Sequence, residues 1–429
     1  MRNGFSKSIG LLALAWLADA QAQLPNVGLP QVPLPQVRTE PLLREVGGTL
    51  GRLPTRAVRI EQLAGRHRPE LDRDNRGELV VRAEVVGLDL TDEALRNALA
   101  KQFQVVRTQE LAELAIKVTI LRTPEGMSAR RGLKVLRKLD PTGTYDYNHV
   151  YLDAGLGDAG LGNAGHDDAG HGDSGNRALR RSFAVDASAA GSARPRVGLI
   201  DGGVDARHAA LARVTVHVFG CGGAPVPDPH GTAVASVMSQ RETSLELYAA
   251  DVYCGEPTGG AVDSMAAAFG WLARENVAVI NVSLVGPRNA LLERVVAKLV
   301  KRGHLIVAAV GNDGPAAPPL FPAAYDGVVG VTAVDAKHKV LVEACRGKHV
   351  DFAAQGADVN GATQAPDVWV PVRGTSFAAP VVALQLAIRI AAPDLAQRER
   401  ALADLASTAT DLGKNGRDDI YGAGQVGGP

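Results

Sequence analysis

Three polar residues of the C-terminal half stand where apolar segments end or helices begin. Asp201 ends the apolar run 197–200 and precedes two glycines, His230 follows a proline-rich loop, and Ser376 lies at a tight turn that opens a predicted helix. A serine hydroxyl becomes a useful nucleophile only when a base takes its proton and a carboxylate orients that base. The three residue types therefore predict a nucleophilic triad. Each alone could equally cap a helix or face solvent and, for the carboxylate, bind a metal.

An amide side chain could complete the chemistry of such a triad. Asn312 follows the apolar run 304–310 in the segment AAVGNDGP. Its side-chain N–H, together with the backbone N–H of Ser376, can stabilise the oxyanion of a tetrahedral intermediate. The alternative is an ordinary turn residue before Asp-Gly-Pro.

From residue 196 onward, apolar segments alternate with helical patterns. This alternation predicts an α/β fold, doubly wound, with a mainly parallel sheet and helices on both faces. Ligands of such sheets bind at the carboxyl ends of the strands, where Asp201 and Asn312 lie. We expect Pro380 to be tolerated because it falls in the first turn of the helix at Ser376. The predicted strands are 196–200, 214–219, 247–253, 277–284, 304–310 and 327–334, and the predicted helices are 263–275, 290–302 and 376–391.

Four short segments of this region resemble the signature blocks of the subtilase family. They are VGLIDGG, HGTAVAS, AAVGNDGP and GTSFAAP, in that order, and the resemblance covers residues 196–429. It implies a subtilisin-like fold and hydrolysis of peptide bonds through an acyl-enzyme. It also implies Asp201 as the orienting carboxylate, His230 as general acid and base, Ser376 as nucleophile and Asn312 as oxyanion donor.

The resemblance further implies a cleft in which substrate binds as an extra β-strand. The segment VAVINVSLVGP resembles the family's substrate-binding edge, which assigns Ser283, Leu284 and Val285 to substrate binding, together with Gly311. Val285 stands where many relatives carry glycine, so the substrate preference of those relatives cannot be assigned to this chain. Gly202 stands where relatives usually carry Ser, Thr or Asp, which removes a side chain beside the triad.

A separate small domain is predicted over residues 77–152. Strand patterns at 77–86, 104–108, 114–122 and 144–152 alternate with helices capped by Thr91 and Ser128. The order βαββαβ is that of a ferredoxin-like sandwich. The segment resembles the inhibitory propeptides of the family (inhibitor I9-like), which implies a zymogen that carries its own intramolecular inhibitor. An unrelated accessory domain is the alternative.

The remaining segments complete the predicted domain organisation. A basic start, a short apolar run and Ala-Gln-Ala indicate an export signal, so we expect a secreted or periplasmic protein. The Gly/Ala/Asp repeat cannot bury enough apolar surface to fold, and we expect maturation cleavage within it. The predicted segments are 1–22 (signal peptide), 23–76 (proline-rich spacer and N-terminal segment), 77–152 (propeptide domain), 153–195 (linker) and 196–429 (peptidase domain).

Composition limits the partners and cofactors. Lys+Arg and Asp+Glu both number 46, so no net basic charge argues for nucleic-acid binding. The proposed chemistry requires no metal. Structural calcium is common in the resembled family, but no ligand set can be assigned, and His166 and His171 lie in a Gly-rich coil that fixes no ligand geometry. We expect a monomer without a membrane span, acting on proteins or peptides.

Three cysteines leave at least one thiol without a partner in the chain. Cys221 and Cys254 lie in neighbouring core segments and form the favoured disulfide, which leaves Cys345 free. Three free cysteines are the alternative.

Three other functions remain open at this point. The chain could be a catalytically inactive binding protein on the subtilase scaffold, a hypothesis supported by Gly202 and the unusual linker. It could be an esterase or peptide ligase that uses the same triad. A secreted matrix protein built around the Gly/Ala/Asp repeat is a third hypothesis, but folded sequence outweighs that repeat.

Overall fold

The first described element is a helix that the sequence pattern did not reveal. In the computed structural model, which describes residues 55–154, 194–365 and 368–428, helix α1 spans Arg56–Arg66. The side chain of Thr55 caps it by accepting a hydrogen bond from the backbone N–H of Val58. The buried side chain of Ile60 packs in an apolar cluster of the N-terminal domain. The folded N-terminal domain therefore begins before residue 77.

The rest of the N-terminal domain follows the predicted βαββαβ order. An additional short strand precedes it, and every strand pair of the sheet is antiparallel. Thr91 and Ser128 cap the two helices as predicted. The elements are β1 (Leu71–Arg73), β2 (Leu79–Leu88), α2 (Asp92–Ala100), β3 (Gln104–Leu111), β4 (Ile116–Arg122), α3 (Ala129–Leu139) and β5 (Thr144–His149).

One face of this sheet packs on α2 and α3, and the other joins the core of the C-terminal domain. Val85, Phe103 and Leu121 belong to the first cluster, whereas Val118 and Ile120 belong to the second. A sheet with apolar residues on both faces must be covered on both. The two domains are thus joined by a shared apolar layer.

The chain then leaves the N-terminal domain as a two-residue strand, β6 (Leu152–Asp153). The predicted export signal, the predicted spacer up to residue 54 and residues 155–193 of the predicted linker, with His166 and His171, lie outside the described residues.

Seven strands of the C-terminal domain form one sheet in which every pair is parallel. In six of these strands most residues are apolar and buried, as expected for strands covered on both faces, whereas the strand 215–219 at one edge has no buried residue. In chain order they are β7 (Arg196–Asp201), β8 (Thr215–Phe219), β9 (Glu246–Asp251), β10 (Val279–Val282), β12 (Leu305–Ala309), β13 (Val329–Val334) and β14 (Phe352–Gln355), with the two-residue β11 (Leu284–Val285) outside the sheet after β10. Their order across the sheet is β14-β13-β12-β10-β7-β9-β8.

Helices cover this sheet, which confirms the predicted α/β fold. Two of them, α4 and α7, pack against each other and on the sheet, and α5 and α6 form a second pair. Their bounds are α4 (Pro229–Ser239), α5 (Val262–Arg274), α6 (Ala290–Lys301), α7 (Thr375–Ala387) and α8 (Leu395–Thr408), and a hairpin of β15 (Val359–Ala362) and β16 (Trp369–Val372) completes the domain. Across the described ranges, no helix combines the length and apolar character needed to cross a membrane.

The favoured disulfide is present. Cys221 and Cys254 are bonded, and Cys345 is a buried free thiol. Between the two bonded cysteines, the carboxylate of Asp251 at the end of β9 accepts backbone N–H groups of Val226, Tyr253 and Cys254. The disulfide and this carboxylate together hold the loop after β8 against the loop after β9.

Candidate active site

A buried carboxylate–imidazole pair lies where β7 ends and α4 begins. Oδ1 of Asp201 lies 2.8 Å from Nδ1 of His230, and both side chains are almost completely buried. The strand end fixes the carboxylate, whose Oδ1 also accepts the backbone N–H of Gly202 at 2.7 Å. The helix start fixes the imidazole, because Asp228 caps α4 and accepts the N–H groups of His230 and Gly231. This pair can orient an imidazole and stabilise its charged form.

Ser376 is the second residue of α7 and is buried. Its Oγ and the Nε2 of His230 have no hydrogen-bond partner among the described residues. The ring of the next residue, Phe377, lies 5.5 Å from the imidazole, centroid to centroid. The structure therefore brings Asp201 and His230 into direct contact and places the residue that follows Ser376 near the imidazole, with no hydrogen bond from Ser376 Oγ to His230.

Pro380 has a role that differs from the sequence expectation. It is not in the first turn: it is the sixth residue of α7, where its missing N–H leaves the carbonyl of Ser376 without its helical partner. The hydroxyl of Ser283 donates to that carbonyl at 2.9 Å, and the Asn281 side chain donates to Ser283 Oγ at 2.9 Å. A chain of side chains from β10 thus replaces the lost helical bond and supports the backbone of Ser376.

Asn312 faces a carbonyl group of the chain itself. Its Nδ2 donates to the backbone oxygen of Ala154, the last described residue of the N-terminal domain. Its Oδ1 accepts the backbone N–H of Thr375 at 3.2 Å, and the Thr375 hydroxyl accepts the N–H of Gly311. The amide is therefore fixed with its N–H pointing at a peptide carbonyl, as an oxyanion donor requires.

Residues 150–154, which we call the cleft segment, lie as a strand between two edges of the C-terminal domain. The N–H of Ala154 donates to the carbonyl of Ser283 at 2.9 Å, and β6 pairs antiparallel with β11, so that Leu152 lies opposite Val285. On the other side, the N–H of Tyr151 donates to the carbonyl of Gly260 at 2.8 Å. The predicted substrate edge is thus occupied by the chain's own backbone.

Sequence reasoning missed this occupant and the second edge. The cleft segment spans the boundary drawn between a predicted strand and a predicted linker, because Asp153 and Ala154 begin the Gly/Ala/Asp repeat. The only local signal was the clean alternation of residues 144–152. Gly260 contributes only its backbone carbonyl, so no side chain in the sequence indicates the second edge.

Helix α1 holds the cleft segment through charge. The guanidinium of Arg59 donates to both carboxylate oxygens of Asp153, at 2.8 and 2.6 Å. Arg56 pairs with Glu78 and with Asp313, which follows Asn312. Because these side chains are mostly buried, moving one partner away would leave an uncompensated charge, so each pair constrains the position of its segment.

Several carboxylates set the charge of His230. Burial alone would lower the pKa of the imidazole, but Asp201, and more weakly Asp153 and Asp228, raise it to about 9. The favourable charge interactions of the imidazolium are thus fully present below pH 6.5 and are lost as pH rises through about 9. Burial raises the pKa of Asp228 itself to about 6, with Asp201 adding to the effect.

Gly202 leaves room for the helix cap. A Cβ at this position would lie 2.5 Å from Cγ and 2.6 Å from Cβ of Asp228. A Ser, Thr or Asp side chain at this position, after Asp201, would therefore collide with the residue that caps α4. Asp228 therefore occupies the space that a side chain at residue 202 would need, which explains the glycine noted in the sequence.

One described cluster has metal-ligand spacing: Cys221, Asp251 and Cys254. Both cysteines are in the disulfide, so the cluster offers no thiolates. The expectation that catalysis needs no metal, and that structural calcium has no assigned site, stays a prediction.

The comparisons with known proteins agree with this geometry. Residues 193–424 match the model of the subtilase family, Peptidase S8, and the chain belongs to this family of serine peptidases. It is 29% identical over 257 residues to subtilisin DY of Bacillus licheniformis, which covers 56% of this chain and 92% of that protein. It is 32% identical over 207 residues to subtilisin BL of Lederbergia lenta, and this match covers 46% of this chain and 75% of that protein.

A solved structure shows the same fold over a longer stretch. Fervidolysin from Fervidobacterium pennivorans, described as a keratinolytic enzyme related to subtilisin, superposes with a TM-score of 0.65 at 17% identity. The match covers 83% of this chain and 61% of that one. At this identity the likeness is one of fold.

Replacing Asp153 tests the electrostatic picture. In the full-length Ser376→Ala chain, Asp153→Asn should lower the pKa of His230 from its value of about 9, because a carboxylate that stabilises the imidazolium is removed. Histidine NMR titration measures this pKa. Asp72→Asn, a half-exposed carboxylate of β1, is the control and should leave it unchanged. An unchanged value in Asp153→Asn would contradict the assignment.

Gly202→Ser tests the space beside the helix cap. We expect it to lower the free energy of unfolding by about 1–3 kcal/mol, because the new Cβ forces Asp228 aside. Gly65→Ala, where a Cβ meets nothing within 4 Å, is the control and should not destabilise the chain. Denaturant unfolding of both variants in the Ser376→Ala chain measures the difference, and equal stabilities would refute the steric argument.

Proposed function

We propose that the protein is an exported serine endopeptidase made as a zymogen. The observation that carries this is the pairing of the Asn312 amide with the Ala154 carbonyl, on a strand laid antiparallel along the cleft edge beside Asp201, His230 and Ser376. A peptide carbonyl is thus held where a nucleophile and an oxyanion donor would both be needed.

In the proposed mechanism, Ser376 Oγ attacks the carbonyl carbon of the scissile bond while His230 Nε2 takes its proton. Asp201 orients the imidazole and stabilises its charged form. Asn312 Nδ2 and the N–H of Ser376 hold the oxyanion. The C–N bond then breaks, His230 returns the proton to the leaving amine, and water hydrolyses the acyl-enzyme by the same steps.

The N-terminal domain acts in this proposal as the intramolecular inhibitor, and maturation cuts the bond that follows Ala154. The cleft segment is antiparallel to β11, as an added substrate strand would be. Arg59 and the apolar contacts of Ile60 keep it there. Ser283, Leu284, Val285 and Gly311 would form the substrate edge of the mature enzyme; export would be directed by residues 1–22, whose fold is not described.

Fluorophosphonate labelling and mass spectrometry test the proposal. The purified wild-type chain should label, and its N-terminal fragment should end at Ala154. Ser376→Ala should stay whole and unlabelled, with turnover lower by about 10⁶-fold, as for the same change in subtilisin. An unlabelled, uncut wild-type chain that trace external protease does not activate would instead support the inactive binding protein. Matched ester, amide and aminolysis substrates separate a peptidase from an esterase or ligase.

Asn312→Ala should lower turnover by about 10²–10³-fold, the loss known for the equivalent donor of subtilisin, because one oxyanion donor is removed. Asn360→Ala, at an exposed position of β15, is the control. Steady-state kinetics on one peptide measures both, and equal rates would remove Asn312 from the mechanism.

The first cleavage should accelerate as pH rises toward 9, because His230 must be neutral to accept the serine proton and its pKa is about 9. Processing of the full-length chain followed on gels at pH 6 to 10 measures this dependence. In Asp153→Asn the rise should move to lower pH. A profile that is flat between pH 7 and 9 would contradict the proposed state of His230.

A further inference from the structure

A cleft of about 510 Å³ is lined by α3 of the N-terminal domain and by the start of α6 in the C-terminal domain. We call it the basic pocket, because five cationic side chains line it together with three carboxylates. Since both domains contribute, the pocket has this form only while the domains are joined. The five cations are Arg76, Arg130, Lys134, Arg137 and Arg288.

Three of these cations come from one face of α3. Arg130, Lys134 and Arg137 follow one another at helical positions i, i+4 and i+7, which places them side by side. The guanidinium of Arg130 donates to the backbone carbonyl of Asp74 at 3.1 Å, and that of Arg137 donates to the carbonyl of Tyr145 at 2.7 Å. Neutral carbonyl groups fix the direction of these guanidinium groups without cancelling their charge.

The carboxylates of the basic pocket do not neutralise its cations. Five cations and three carboxylates leave an excess of two positive charges. Arg288 pairs with Glu293, whereas Asp74 and Asp146 accept backbone N–H groups, and Asp74 also contacts His149. Within the described ranges, no ion pair is formed by the other four cations, which are Arg76, Arg130, Lys134 and Arg137.

A hydroxyl group without a hydrogen-bond partner also lines the basic pocket. The side chain of Tyr147 is only 8% exposed, and its hydroxyl bonds to none of the described residues. Burial, and then Asp74, raise the pKa of Tyr147 above its usual value, so the hydroxyl remains a donor. The charges of Arg130 and Arg137 partly oppose this shift, because they lie close to the hydroxyl. An acceptor that enters the pocket would complete this donor.

We propose that the basic pocket binds an anion with two or more linked phosphate groups, held by Arg130, Lys134 and Arg137 and by the hydroxyl of Tyr147. Each phosphate offers several acceptor oxygens and more than one negative charge, so linked phosphates concentrate charge in a small volume. A guanidinium fork binds two phosphate oxygens at once. A side-chain carboxylate carries a single charge, so an acidic peptide matches this pocket less well.

Such a ligand would hold the two domains together. Because residues of both domains line the basic pocket, the ligand binds the joined state better than the separated domains and stabilises it by mass action. In the proposed zymogen, the anion therefore delays release of the N-terminal domain after cleavage. This consequence rests on the proposed function, whereas the binding itself does not.

Calorimetric titration with tripolyphosphate tests the site in the full-length Ser376→Ala chain at physiological salt. Lys134→Ala should raise the Kd about tenfold, because one cation that contacts the anion is removed. Lys138→Ala is the matched control, since it makes the same change on the same helix at an exposed position outside the pocket, and it should alter the Kd less than twofold. Equal weakening by both variants, or no binding to the parent chain, would overturn the site.

Tyr147→Phe tests the pocket without changing its charge. It should raise the Kd for tripolyphosphate about fivefold, because a hydrogen bond to a charged group is lost. Tyr145→Phe, which removes a hydroxyl bonded to Asp140 outside the pocket, is the control and should leave the Kd unchanged. Denaturant unfolding shows whether both variants are folded, and an unchanged Kd in folded Tyr147→Phe would contradict the proposed site.

Soluble and lipid phosphates are distinguished by a second probe. Vesicles of equal parts phosphatidylcholine and cardiolipin present a headgroup with two phosphates. Stronger binding to tripolyphosphate supports a soluble ligand, and stronger binding to the vesicles supports a lipid, provided that Lys134→Ala weakens it in either case. A glutamate hexapeptide that binds more tightly than both probes would overturn the phosphate assignment in favour of an acidic protein.

Release of the N-terminal fragment tests the coupling in the processed wild-type chain. Tripolyphosphate at about ten times its Kd should slow the separation of the fragment from the peptidase domain about tenfold, and this effect should be lost at the same concentration in Lys134→Ala. Size-exclusion chromatography at successive times measures the separation. Unchanged separation at saturating ligand would overturn the coupling. If the wild-type chain is neither cut nor labelled, the proposed function fails, while the Kd values of the Ser376→Ala chain still decide the site.

Discussion

The pairing of β6 with β11 is the contact on which the arrangement of this protein depends. It is only two residues long, yet it sets the carbonyl of Ala154 against the Asn312 amide and lays Tyr151 beside Gly260 and Gly286. So short a strand is not stable alone. The pairing persists because the N-terminal domain, which shares an apolar layer with the C-terminal domain, holds β6 against β11.

Charge in the cleft follows from the same contact. The cleft segment brings the carboxylate of Asp153 toward a site that already holds Asp201 and Asp228 around one imidazole. Unpaired buried charges are costly: Asp153 is paired with Arg59 and Asp201 with the imidazolium of His230, whereas Asp228 accepts backbone N–H groups at the start of α4. Occupation of the cleft by Asp153 and protonation of His230 therefore favour each other.

Positions that look anomalous in the sequence are matched by neighbours far along the chain. Gly202 lacks a side chain because Asp228 fills that space, and Pro380 removes a helical N–H whose acceptor is taken by Ser283. Gly286 likewise leaves the space that the Tyr151 ring fills. In a close-packed interior, a side chain or N–H group can be missing at one position when a neighbour fills that volume or supplies the missing hydrogen bond.

What the sequence by itself determined is local or periodic: the apolar strands, the helices capped by Thr91 and Ser128, and the residue types of the triad at strand and helix ends. It also sufficed for membership of the subtilase family, because motif order is a property of the chain. Only the tertiary structure decided that α1 belongs to the N-terminal domain, that residues 150–154 occupy the cleft, and that the Tyr151 ring fills the space beside Gly286. The reason is physical: these features arise from contacts between residues far apart in sequence, and no local pattern of side chains encodes them.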